Sequence, residues 1–270
     1  LFRRQLVALL SGACLLASAS NGLAADGPFG WFSGDWYLKV GAAGIQAPKF
    51  EGSSSSAFKV APLVSLGKHG RSARFSSRND NISLALMDTG GFRAGMAGKF
   101  VPRRDEDDSS DLAGLDRVKM GAEVGGFAEI YPTDWLRFRA EMRRGVRSHS
   151  GLVTDVSADA FLDFTETIQF SGGPRLSYAT SDYFDAYYGV SSGESASSGL
   201  SEYQPGSGVK SMGLGGAVTW RATDKINASV FAEYSRLMGP AADSSLVRER
   251  GSRNPVMVGA MATYRFDFSM

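Results

Sequence analysis

Val256-Met257-Val258-Gly259-Ala260-Met261-Ala262-Thr263-Tyr264-Arg265-Phe266-Asp267-Phe268 is the stretch that decides how the rest of the chain is read. Val256, Val258, Ala260, Ala262, Tyr264, Phe266 and Phe268 fall on one face, and Met257, Gly259, Met261, Thr263, Arg265 and Asp267 on the other. Successive strand side chains point to opposite faces, so a period of two means β-structure. One face is apolar and aromatic, while the other carries charge in mid-strand. That division suits a wall with lipid outside and a polar lumen inside. An aromatic-rich strand of this kind is how an outer-membrane β-barrel closes.

The same alternation recurs upstream. Trp36, Leu38, Val40 and Ala42 share a face, as do Phe58, Val60, Pro62, Val64 and Leu66. Phe92 to Phe100, Val118 to Ile130, Leu136 to Met142, Leu152 to Phe164, Ile168 to Tyr178, Met212 to Trp220 and Ile226 to Tyr234 continue the series. A soluble sandwich also alternates. Two details favour the membrane: charge on the opposite faces, and aromatics at the ends of apolar faces (Phe100, Phe164, Tyr178, Trp220, Tyr234), where rings sit at headgroups.

Connections come in two lengths. Tyr131–Asp134, Phe164–Thr167 and Arg221–Asp224 are tight; Pro48–Ser56, Pro102–Asp116, Thr180–Gly208 and Gly239–Asn254 are long. Short periplasmic turns and long outer loops are the barrel rule. With both ends periplasmic, Arg117–Ile130, Leu152–Phe164, Val209–Trp220 and the last strand run downward. The expectation is an all-β, transmembrane, antiparallel up-and-down barrel of 10 strands, with 12 as the alternative if Arg74–Met87 and part of Tyr183–Ser191 also span. Residues 72–90 are the least defined part of this map.

The first residues have the pattern of a cleaved secretory signal: Arg3 and Arg4, an apolar stretch from Gln5 to Ala19, and the small-x-small site Gly22-Leu23-Ala24. The expected organisation is a signal peptide over 1–24, a short periplasmic leader over 25–34 and the barrel over 35–270. Cleavage removes two arginines and no acids, leaving 27 basic and 28 acidic residues, net −1. No global basic bias toward nucleic acid remains. The only cysteine, Cys14, lies in the signal, so the mature chain has neither disulfides nor thiolate metal sites. After the signal no apolar run approaches the roughly 18 residues of a membrane helix, so any span is β.

The best-defined chemistry is on one hairpin. Its first strand points Arg137, Arg139, Glu141 and Arg143 inward, and its second Asp155, Asp159, Phe161 and Asp163. A turn near Ser148–Ser150 is expected to set Arg143 opposite Asp155 and Arg139 opposite Asp159. Such cross-strand pairs contribute about 0.2–1 kcal/mol each. The ladder reads as structural packing of a small lumen, with a charged, solute-selecting constriction as the alternative.

Catalytic and metal signals are weak. Ser148-His149-Ser150 does not have the spacing of outer-membrane acyl hydrolases, and His149 is expected in a solvated loop. His69 lies in a plain Gly-Lys-His-Gly turn. The run Asp105-Glu106-Asp107-Asp108 with Asp111 lacks the glycine of a calcium loop and reads as a solvated loop, with weak divalent-cation bridging to lipopolysaccharide as the alternative. No catalytic residue, cofactor or metal site is expected.

Several short motifs in order carry a family resemblance. They are Phe50-Glu51-Gly52-Ser53, Arg104-Asp105-Glu106-Asp107-Asp108, Gly173-Pro174-Arg175-Leu176, Asp182-Tyr183-Phe184, Tyr187-Tyr188-Gly189-Val190, Ser198-Gly199-Leu200 with Tyr203, Gly208-Val209-Lys210, Tyr234 to Gly239, Ala241 to Ser244, and Tyr264-Arg265-Phe266. Together they resemble the MipA/OmpV family of outer-membrane proteins over nearly the whole mature chain. Two departures stand out: Asp267 to Met270 follow the usual Tyr-x-Phe end, and Ser244-Ser245-Leu246-Val247 replaces Ser-Pro-Ile-Val. The resemblance implies an outer-membrane barrel of a Gram-negative cell without enzymatic activity. Its type member acts as a scaffold between a lytic transglycosylase and a peptidoglycan synthase. Other members look like adhesins or antibiotic- and stress-responsive surface proteins, and a small-solute channel is a further alternative. The implied surroundings are outer-membrane lipid, lipopolysaccharide and the barrel-assembly machinery. Trp31 and Phe32, in the leader, are the expected docking element for a periplasmic partner.

Overall fold

The computed structural model describes residues 34–68 and 75–269. The signal region, Trp31, Phe32 and His69 lie outside the described residues. Eleven strands form one sheet: β1 (Asp35–Pro48), β2 (Ser56–Lys68), β3 (Ile82–Asp88), β4 (Phe92–Val101), β5 (Gly121–Thr133), β6 (Leu136–Val146), β7 (Leu152–Asp163), β8 (Ile168–Ala179), β9 (Gly208–Arg221), β10 (Ile226–Leu237) and β11 (Val256–Ser269). Every ladder is antiparallel. The order is β2-β1-β11-β10-β9-β8-β7-β6-β5-β4-β3, so the closing strand pairs with the opening one. Asp35 lies opposite Ser269 and Gln46 opposite Val258.

The faces follow the alternation. Along β11 half-buried and exposed residues alternate from Val256 to Phe266. The exposed set includes Phe58, Val60, Met96, Phe100, Val124, Met142, Leu162, Phe170, Leu214, Trp220, Val230 and Phe266. Val60 is 70% exposed and Leu214 62%. So large an apolar surface on every strand needs an apolar solvent, and lipid supplies it. Among the described residues no helix is long and apolar enough to cross a membrane.

The barrel architecture is as expected, and the described strands number eleven, between the expected ten and the alternative twelve. Tyr183–Ser191 does not span; most of it lies in helix α1 (Ser181–Tyr188). Residues 82–101 make two strands, joined at Thr89–Gly91. The odd number has a topological cause. Counting back from β11 through antiparallel neighbours, β3 runs in the same direction as β2. The chain must therefore return between them by a route outside the wall.

Residues 75–81 are the described part of that return. Phe75 stacks on Phe161 at 4.7 Å and sits with Tyr131, at the short-turn end. The Ser77–Asp80 turn reaches across the lumen to β8, β10 and β11, where Arg78 meets Met257 and Asn79 donates to Glu233. Asp80 and Asn81 then come back to Arg137 and Glu141 on β6, and β3 begins. β2 and β3 are the two sheet edges, with no hydrogen-bonded ladder between them among the described residues.

The long connections fold over the opposite end. They carry α1, α2 (Ser192–Ser198), α3 (Gly239–Asp243), a 3-10 turn over Ser110–Leu112 and a π-turn over Leu246–Arg250. Tyr183, Phe184 and Tyr188 pack with Val153, Ala179, Leu237, Ala241, Ala242 and Val247. Phe50, Leu112, Val190, Leu200 and Leu246 form a second cluster. Arg250 binds the carbonyls of Asp111 and Ser198, and Ser252 donates to Gly52, so four loops are tied together.

Candidate functional site: a charged lumen

Period-two packing aims one residue in two at the lumen, and on β5, β6 and β7 those residues are charged. Arg137, Arg139, Glu141, Arg143, Glu123, Glu129 and Asp159 are all buried. Arg137 and Asp159 have no exposure at all.

The β6–β7 register is centred one residue earlier than expected, at Ser148. Arg137 lies opposite Asp159, Arg139 opposite Ser157, Glu141 opposite Asp155 and Arg143 opposite Val153. Arg147 takes a left-handed conformation (φ 73°) that starts the turn there. Gly145 donates to the Gly151 carbonyl and lacks the Cβ that would collide with the His149 ring. The expected Arg139–Asp159 pair therefore does not form. Arg143 still reaches Asp155 diagonally at 2.5 Å. Asp163 stands apart at the short-turn rim, partly exposed, paired with Arg221 at 2.8 Å.

The network is wider than one hairpin. Arg137 donates both terminal nitrogens to Asp80 (2.7 and 2.9 Å) and one of them also to Asp159 at 2.7 Å. The other Asp159 oxygen takes Arg175 from β8 at 2.5 Å. Arg139 pairs with Glu129 at 2.7 Å and Glu141 at 2.6 Å, and stacks over Phe127 at 4.1 Å. Arg143 pairs with Glu123 and Glu141. Arg93 from β4 completes Glu129. Buried guanidinium groups are tolerated when most of their donors are met, and here the terminal nitrogens find carboxylates or carbonyls while Arg137 Nε and Arg175 Nε have no partner among the described residues.

Sequence reading missed Glu123, Glu129 and Asp80. For the first two the signal was present: alternation sets Glu123, Phe127 and Glu129 opposite the apolar face of β5. Asp80 had no such signal, because it lies in a non-periodic segment.

Higher up, Lys210 pairs with Glu51 at 3.0 Å, and Tyr183 donates to the same carboxylate at 2.9 Å. Burial would raise the Glu51 carboxyl, but the Lys210 ammonium more than offsets it and holds the group below its ordinary range. His149 is buried rather than solvated. It lies 3.3 Å from Glu123 and edge-on to Tyr183, because α1 folds down over the β6–β7 turn. The acidic run is partly as expected: Glu106, Asp107 and Asp108 are exposed, while Ser109 and Leu112 anchor its end in the cap.

Between the cap and the 78–81 segment lies a cavity of about 950 Å³. Arg78 to Asn81 form its floor; Tyr183, Tyr187 and Arg104 lie toward the cap; Lys59, Lys99, Arg139 and Glu233 line its sides. Among the described residues no nucleophile stands beside a free base, and the buried His149 serves a carboxylate. The chemistry on offer is electrostatic.

Residues 40–266 match the family described as MltA-interacting protein MipA. Outer membrane protein OmpV of Vibrio cholerae serotype O1 is 27% identical, the alignment covering 96% of this chain and 99% of that one. Outer membrane protein Omp26La of Vibrio anguillarum is similar to the same extent. Solved structures of similar outline include Neisserial surface protein A (TM-score 0.30, 12% identity, 86% of this chain and 99% of that one) and OprG from Pseudomonas aeruginosa (TM-score 0.31, 13% identity, 87% and 96%), likenesses too loose to argue from. The match over residues 40–266, with full-length outer-membrane relatives and a lipid-facing β wall, means that this chain belongs to the MipA family and is an outer-membrane β-barrel protein.

Proposed function

We propose that the protein is a non-conducting, non-enzymatic outer-membrane barrel that acts as a scaffold for murein-remodelling enzymes. One observation carries the non-conducting part. Residues 75–81 cross the lumen and are fastened there by the bidentate Asp80–Arg137 contact, with Phe75 stacked on Phe161 below. A segment held by buried ion pairs and an aromatic stack does not make way for passing solute. The scaffold part rests on membership of a family named for binding MltA. The tight turns at the short-turn end give a periplasmic partner little to hold, so the leader with Trp31 and Phe32 is the proposed docking element.

The test is capture of purified lytic transglycosylase by the full chain in nanodiscs. Binding that drops at least tenfold when Trp31→Ala and Phe32→Ala are combined supports the reading. Equal capture by the double variant removes the docking element, and no capture by the unaltered chain removes the scaffold role.

A further inference from the structure

The wall has a seam beside the cavity. β2 and β3 share no hydrogen-bonded ladder among the described residues, and β3 is short: its first residue, Ile82, lies opposite Gly98 of β4. Above that point, among the described residues, Lys99–Val101 have no strand partner on the seam side, and neither has the upper part of β2. No β3 residue lines the cavity there. Its walls are Lys59 and Val60 from β2, and Lys99 and Val101 from β4. The cavity thus lies behind the stretch of wall between β2 and β4 that no ladder closes, close to the long-loop end. Val60, on the rim, is 70% exposed to what is lipid in the membrane.

Lysines flank this stretch of wall, with Glu51 and Glu123 deeper on the cavity wall and within electrostatic reach of Lys99. Alternation turns Lys59 and Lys99 inward from the two flanking strands, while Phe58, Val60 and Phe100 face out. Neither lysine has a carboxylate partner among the described residues; the Lys59 ammonium rests on the carbonyls of Pro48 and Lys49. Arg104 behind them likewise has no carboxylate and lies over the Phe50 and Tyr187 rings. Most lumen carboxylates close to them are already held by lysine or arginine. Cations that form no direct ion pair, beside apolar and aromatic walls and behind an unladdered stretch of the barrel, suit one ligand class.

We infer that the cavity is a binding site for an anionic amphiphile, which enters sideways through the β2–β4 seam. Its carboxylate or phosphate headgroup sits between Lys59 and Lys99 with Arg104 behind, and its acyl chain lies along the seam at Val60 and Val101. Three cations converging on one anion are worth most where water is scarce. The 78–81 floor keeps the ligand in the upper half, so the site works in a barrel that does not conduct, and it does not depend on the scaffold reading.

The test uses the full-length barrel refolded in a neutral detergent, with native mass spectrometry and calorimetry as readouts. The probes are dodecanoate, dodecanol and acetate. Dodecanoate is expected to bind at one site per barrel, with affinity reduced at least tenfold in the Lys59→Gln/Lys99→Gln variant and kept in Lys59→Arg/Lys99→Arg. Both lysines are exposed on the seam, and heat-modifiable migration on gels checks that the variants are folded. Equal binding by the Gln variant, or binding of dodecanol as tight as dodecanoate, overturns the headgroup assignment. Acetate binding as tight as dodecanoate overturns the amphiphile in favour of a free-anion site.

Discussion

Asp159 carries the most at the residue scale. It has no exposure, and its two oxygens serve Arg137 and Arg175. Removing it leaves the Arg175 guanidinium without a carboxylate and takes one carboxylate from Arg137, which keeps Asp80. Breaking a buried pair from one side costs about 3–5 kcal/mol. Asp159→Ala is expected to lower stability by that amount in urea unfolding from micelles, followed by tryptophan fluorescence. A loss below about 1 kcal/mol, the scale of surface pairs, would contradict the buried network. Asp163→Ala, at the exposed rim, is expected to change little. Glu51 gives a pH signature. Its folded carboxyl is held below the ordinary range, so its stabilisation is present above the unfolded value of about 4.3 and is lost as pH falls through the lower folded value. Hydrogen exchange in α1, corrected for intrinsic rates, is expected to quicken over that acid window in the unaltered chain and to lose this dependence in Glu51→Gln. The inward arginines and aspartates were legible because strand alternation is strict. Their pairing was not, because a hairpin's register hangs on one turn residue, here Arg147 in the left-handed region.

At the scale of elements, the outward faces were the most legible feature, since lipid demands apolar residues at every second position. Val230, in mid-β10 and 57% exposed, is a position where that demand can be measured. Val230→Arg is expected to destabilise the barrel in bilayers by about 2–4 kcal/mol. A neutral effect in bilayers would mean that this face does not meet the hydrocarbon. The return segment 75–81 was illegible. Ser-Ser-Arg-Asn-Asp-Asn has no period, and its conformation comes from partners on β6, β8, β10 and β11. α1 lay between these extremes. Tyr183, Phe184, Tyr187 and Tyr188 repeat at helical spacing, a cue obscured by the surrounding serines and glycines. The long connections form a packed cap over His149, read as solvated, because their few large apolar residues find one another across four connections.

For the whole molecule, an up-and-down barrel with two periplasmic ends ordinarily needs an even number of strands. Eleven strands are accommodated because the chain climbs back through its own lumen, and that same passage occupies the space a pore would need. Topology, the buried charge network and the proposed absence of conduction are therefore one feature seen at three levels. The measurement that tests this most directly is single-channel recording of the refolded full-length chain in planar bilayers. The account predicts no stepwise conductance for the unaltered chain, and discrete openings when residues 76–80 are replaced by a glycine-serine stretch of equal length. Steady ohmic conductance from the unaltered chain, unchanged by that replacement, would contradict it.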